Sequence, residues 1–70
     1  MIRTPVRSSN LQSVGYDAVT RTLEIAFVSG VYQYFEVPAA VHQALMEAKS
    51  KGAYHAAFIK DQYRYAKVPQ

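Results

Sequence analysis

The sequence predicts an α+β fold: a three-stranded antiparallel β-meander followed by two helices packed on one of its faces (β-β-β-α-α). Three observations predict it. Apolar residues tend to alternate through Leu11–Asp17, Thr22–Val28 and Val31–Val37, the two-residue period of half-buried strands. Ser29-Gly30 separates the second and third runs, and glycine supplies the positive φ of a tight hairpin. Beyond Pro38 the apolar spacing changes to three and four, the period of a helix.

Taken in order, residues 1–10 read as a flexible polar arm ending in Ser8-Ser9-Asn10. Val14 and Tyr16 share one face of the first strand, and Asp17–Arg21 is turn material because Asp and Thr side chains bond nearby backbone N–H groups. In the second strand Leu23, Ile25 and Phe27 point one way and Glu24 and Ala26 the other. A loop at 18–21 pairs Tyr16 with Leu23 and Val14 with Ile25. With Ser29 and Gly30 as the next loop, Val28 faces Val31, Phe27 faces Tyr32 and Ile25 faces Tyr34. Directly paired residues lie on the same side of a sheet, so Tyr32 and Tyr34 join the apolar face. That face needs a cover.

The helices provide it. Pro38 suits a first helical turn, and Val41, Ala44, Leu45 and Ala48 follow at helical spacing. After Ser50-Lys51-Gly52 a second helix runs from Ala53 to about Lys60, with Ser50 as N-cap. Tyr54, Ala57 and Phe58 form its apolar stripe, and Lys60 complements the negative end of its dipole. The domain proper spans residues 11–63, and residues 64–70 form an extended tail.

Composition narrows the functional classes. Seventy residues make one domain, and nine aromatics, six of them Tyr, are enough for one core. The chain has no cysteine, hence no disulfide framework and no thiolate chemistry. No apolar run approaches the roughly 20 residues of a membrane span, and Met1–Pro5 lacks a signal-peptide segment, so the cytosol is the expected compartment.

The net charge of +3 is unevenly spread: residues 1–10 carry +2, residues 11–48 carry −3, and residues 49–70 carry +4. An acidic body with basic ends is compatible with nucleic-acid contact. In the basic third, Lys60, Tyr63, Arg64, Tyr65 and Lys67 interleave rings with cations, the composition of a contact stripe that stacks bases and attracts phosphate. Lys49 and Lys51 flank the Ser50 cap, where a helix N-terminus favours an anion. The same Ser50 and Gly52 are also explained as a cap and a turn. The competing surface is the sheet's second face, where Val28, Val31, Gln33 and Phe35 would meet a protein partner or a second copy.

Catalysis is not expected. His42 and His55 stand alone without metal-ligand spacing, the five acids fall in different elements, and no serine has a nucleophile-elbow context. No cofactor or metal is implied.

Gly15-Tyr16-Asp17, Leu23-x-Ile25-x-Phe27, Gly30-x-Tyr32-x-Tyr34, Val37-Pro38, Ala48-x-Ser50-x-Gly52-x-Tyr54 and Ile59-Lys60-x-x-Tyr63, in that order, resemble the KTSC domain. That family is named for a copy at the C-terminus of some lysyl-tRNA synthetases and occurs also as small stand-alone bacterial proteins. Its central mark is the Tyr-x-Tyr pair, here Tyr32 and Tyr34. The resemblance covers roughly residues 8–63 and implies an RNA-associated, non-catalytic module. The chain departs from the pattern at His55-Ala56, where an aromatic followed by Asn is frequent, and at His42, where an aromatic is common.

Overall fold

One antiparallel sheet organises the chain, whose computed structural model describes residues 1–69. Its strands are β1 (Thr4–Pro5), β2 (Leu11–Asp17), β3 (Thr22–Phe27), β4 (Gly30–Tyr34) and β5 (Tyr65–Lys67), paired in chain order. The helices α1 (Ala39–Glu47) and α2 (Lys51–Phe58) lie between β4 and β5 in sequence.

The sheet therefore has five strands where the sequence predicts three. Thr4–Pro5 pairs with Val14 and Ser13, inside the segment read as an arm, and Tyr65–Lys67 pairs with Tyr34, Gln33 and Tyr32. Segments of two and three residues are too short to show an alternation. They become strands because neighbouring edges offer unpaired backbone groups. Thus Val6 N–H donates to the Gln12 carbonyl at 3.1 Å, Phe35 N–H to Arg64 at 2.9 Å and Val68 N–H to Val31 at 2.8 Å.

Between β2 and β3 the register is the expected one, with Tyr16 opposite Leu23 and Val14 opposite Ile25. A bulge between Leu11 and Ser13 breaks the alternation there. The extra residue turns Leu11 onto the core face, where it is 2% exposed. The β3–β4 hairpin turns one residue earlier than predicted, at Val28-Ser29, so Phe27 opposes Gly30 and Ile25 opposes Tyr32. The pairing slips by two residues, an even number, and every side chain keeps its face. Only Val28 is lost from the sheet, and it stands 76% exposed in the turn. Gly30 adopts φ of 148°, a conformation that side-chain-bearing residues rarely accept.

Leu11, Val14, Leu23, Ile25 and Tyr34 from the sheet meet Val37, Leu45 and Ile59 in one buried cluster. Pro38 is the N-cap of α1, one position before the predicted first turn. The α2 helix starts at Lys51, earlier than the predicted Ala53, and Ser50 caps it, its Oγ accepting from the Ala53 N–H at 3.2 Å. The buried side of this segment is His55 and Ile59, with 8% and 0% exposure, where Tyr54 and Phe58 were expected. The stripe is displaced by one residue, about 100° around the helix axis. Tyr54 packs only partly against the core, Ala57 is exposed, and Phe58 is 57% exposed.

This displacement yields a direct test. Ile59→Ala should lose about 2–5 kcal/mol by removing fully buried atoms, read as the midpoint shift in urea unfolding. Phe58→Ala removes an exposed ring that packs at a tilt against Tyr54 and should lose less than about 1 kcal/mol. Equal losses from the two variants would restore the stripe that the sequence predicts.

Candidate functional site

Tyr32 and Tyr34 project from β4 toward the helix-covered side of the sheet, as their pairing with Ile25 and Leu23 requires. The cover ends before β5. Between the β4–β5 edge and the end of α2 a cleft of about 250 Å³ remains, walled by Phe27, Tyr32, Tyr34 and Tyr65, with His55 and Lys60 opposite and Ser29 at the hairpin end. The rings interlock at aromatic-pair distances: Phe27 meets Tyr32 edge-on at 5.7 Å, and Tyr65 lies 6.1 Å from Tyr32 and 5.8 Å from Tyr34. Lys67 Nζ stands 5.9 Å from the centre of the Tyr32 ring, within cation–π range. Tyr65 is 58% exposed, so part of the ring remains open to solvent.

The cleft's inner wall is polar but closed. Tyr34 Oη and His55 Nε2 lie 2.7 Å apart in a buried hydrogen bond. Burial pushes the Tyr34 hydroxyl up to about 12, helped by the neighbouring Tyr32 and Tyr65. Burial also lowers His55, and the Lys60 charge lowers it further. Both groups are therefore neutral near pH 7, with the phenol as the natural donor and the imidazole nitrogen as acceptor. Among the described residues no buried side-chain polar atom lacks a partner.

A second, more open depression of about 640 Å³ adjoins the cleft and is lined by Phe35 and residues Lys60–Tyr65. Lys60 and Tyr65 line both spaces. Of the basic stripe read from the sequence, Lys60, Arg64, Tyr65 and Lys67 gather around this edge, all exposed, while Tyr63 turns inward and packs on the core. Arg64 makes one solvent-exposed ion pair, 3.8 Å from Glu36, which contributes little. Lys49 and Lys51 are not brought to this edge. They lie at the N-terminal end of α2, a helix about 12 Å long, whereas Lys60 follows its C-terminal end. Lys51 donates to the Ala48 carbonyl at 3.1 Å.

The family-motif positions divide in role. Tyr32 lines the cleft half-buried, while Tyr34 is 4% exposed. Ser50 is the α2 cap, and the Tyr54 ring meets Phe58 at a tilt with centroids 4.8 Å apart. Gly52 allows the Asn10 side chain to approach, since a Cβ there would lie 2.6 Å from Asn10 Oδ1. His42, which the sequence leaves isolated, stacks on Tyr16 with centroids 4.7 Å apart. On the second sheet face Gln33 donates to Glu24 at 2.8 Å, and Arg3 from the N-terminal segment pairs with the same carboxylate at 3.2 Å. Val31, Gln33 and Phe35 are half-buried there.

The sequence does not reveal Phe27, Ser29 and His55 as cleft residues. The available signal was His55 standing four positions before Ile59, where an apolar stripe would place a buried side chain. Among the described residues no group of three or more His, Cys, Asp or Glu side chains could hold a metal ion, and no helix is long and apolar enough to cross a membrane.

A half-covered antiparallel sheet with two short helices and an aromatic cleft at its edge defines a small α+β domain. The chain belongs to the KTSC domain family, whose model matches residues 7–65. The chain is 44% identical to an uncharacterized protein of Stutzerimonas stutzeri, covering 97% of this chain and 99% of that protein. It is 41% identical over 61 residues to a lysine–tRNA ligase of Nostoc sp., covering 86% of this chain and 11% of the ligase's length. The crystal structure of a KTSC domain protein from Yersinia pestis superposes with a TM-score of 0.95 at 43% identity, covering 97% of both chains.

The buried hydroxyl sets a pH dependence. The unfolded tyrosine releases its proton near pH 10, while folded Tyr34 holds it to about 12. The stabilisation is therefore fully present below pH 10 and is lost as pH rises toward 12, by up to about 1.4 kcal/mol per pH unit. Tyr34→Phe should remove that alkaline slope while lowering stability at pH 8, because His55 Nε2 loses its partner. Urea midpoints at pH 8, 10 and 11 read both effects, and an unchanged slope in the variant would reject the assignment.

Proposed function

We propose that this domain is a non-catalytic module that binds single-stranded RNA through the basic edge formed by the α2 end and β5. One observation carries the reading: Lys60 and the exposed Tyr65 stand where the cleft meets the open depression, with Arg64 in the depression and Lys67 over the neighbouring Tyr32 ring. Cations that track a phosphate backbone beside a ring that stacks a base are the two components of sequence-tolerant single-strand binding. The likeness to a segment of lysine–tRNA ligases supports the same reading, since those proteins are named for a tRNA. The remaining cations of the basic third, Lys49 and Lys51, contribute to steering the strand rather than to this edge.

Three phosphate contacts on a single strand imply a salt slope near −2, so raising salt from about 0.05 to 0.2 M should weaken binding roughly twentyfold. A backbone amide NMR titration with a short mixed-sequence RNA should show shifts concentrated at residues 60–67 that fade over that range. Lys60→Gln and Arg64→Gln should each make the slope shallower by about 0.7. Absence of any shift at the lower salt would end the RNA reading.

A further inference from the structure

The basic edge explains attraction to a phosphate chain and leaves the cleft beneath it without a role. We infer that the cleft receives one unpaired nucleobase, held by its face against Tyr65 and Tyr32, with its 5′-phosphate outside at Lys60. This rests on the single-strand reading and adds the ligand that the cleft itself takes.

Size comes first. About 250 Å³ is below the roughly 300–1,000 Å³ of sites for drug-sized ligands, so the space suits one planar ring system and excludes a folded chain segment. Charge comes second. No acid lines the cleft, Lys60 stands at its border, and Lys67 sits over the Tyr32 ring, so an anionic ligand with a flat apolar part is favoured. Continuity comes third. Lys60 and Tyr65 belong to both the cleft and the open depression, where Arg64 also lies. A base in the cleft therefore places its sugar and phosphate in the depression, beside those cations. The depression also carries Asp61, which restricts the phosphate to the Lys60 side.

The closed inner wall predicts the kind of recognition. Tyr34 Oη and His55 Nε2 are satisfied by each other, so these two groups offer little to the edge of a base. Base edges are what distinguish one nucleotide from another, and ring faces are shared by all. The cleft should therefore accept purines and pyrimidines alike, preferring the larger stacking surface only a few-fold.

The test uses adenosine 5′-monophosphate, uridine 5′-monophosphate, adenosine and a short mixed-sequence single-stranded RNA, each titrated into the full chain at low salt. Cleft resonances, namely the Phe27, Tyr32 and Tyr65 rings, should shift with both nucleotides and with the strand. Adenosine should bind several-fold more weakly than its monophosphate, and Lys60→Gln should abolish that difference. Tyr65→Ala should weaken nucleotide binding at least fivefold. Tyr65→Leu, which keeps an apolar side chain on the edge strand and lacks a ring face, should weaken it similarly with the fold intact.

The strand binding tighter than the nucleotides identifies an internal base of RNA as the source. Nucleotides shifting the cleft while the strand does not bind would leave the base site standing and end the RNA reading. A strand that binds through residues 60–67 without moving the cleft rings, or that is indifferent to both Tyr65 variants, would overturn the base site and leave the RNA reading intact. Silence from all four probes would overturn both.

Discussion

Helices of nine and eight residues are roughly 12–13 Å long, whereas five strands make a sheet about 19 Å from first to last axis. Two such helices do not cover one face of that sheet. They close over one buried cluster, in which Leu23, Ile25, Val37 and Leu45 reach zero exposure. Coverage runs out at the β4–β5 side. The uncovered strip is where Tyr32 and Tyr65 sit, residues with an apolar body and a polar end that tolerate a half-wet position. The cleft is thus the part of the sheet face that the two short helices leave uncovered, and tyrosine is a residue type suited to its half-wet edge.

The Tyr34–His55 hydrogen bond fixes the border of the covered area. It ties β4 to α2 through one buried side-chain contact. It also lets a polar pair occupy a buried position, since each supplies what the other lacks. The resemblance implies that an aromatic followed by Asn is frequent at positions 55 and 56, where this chain has His55-Ala56. In this chain the histidine ring takes the aromatic's place, packing 5.0 Å from Phe27 and 5.4 Å from Tyr34 while accepting the hydroxyl's bond.

Much of the fold was legible, for physical reasons that also explain the gaps. The Tyr16–Leu23 pairing followed from the Asp17–Arg21 turn, because a four-residue loop leaves one register compatible with the buried face. The sequence places this hairpin at Ser29-Gly30, because glycine reads as a loop residue, whereas Gly30 is the first residue of β4 and the turn is Val28-Ser29. The error was harmless to the side-chain faces and fatal only to Val28. Strands β1 and β5 were invisible because they are defined by their partners and not by their own pattern. In the site, Lys60, Tyr65 and Lys67 were legible as a basic aromatic stripe. His55 is not, because a lone histidine carries no periodic signal, and Lys49 and Lys51, which flank the Ser50 cap, stand a helix length from that stripe.

The order of the strands gives the domain two unlike ends. β1 and β5 are the opposite edges of the sheet, four strand spacings apart. A chain joined ahead of β1 enters on the side remote from the cleft and leaves its mouth clear. A chain continued beyond β5 departs next to Tyr65 and Lys67 and must pass close to that mouth. As a building block the domain is therefore directional: a chain joined at its amino end stays clear of the cleft, while one continued at its carboxyl end passes beside it.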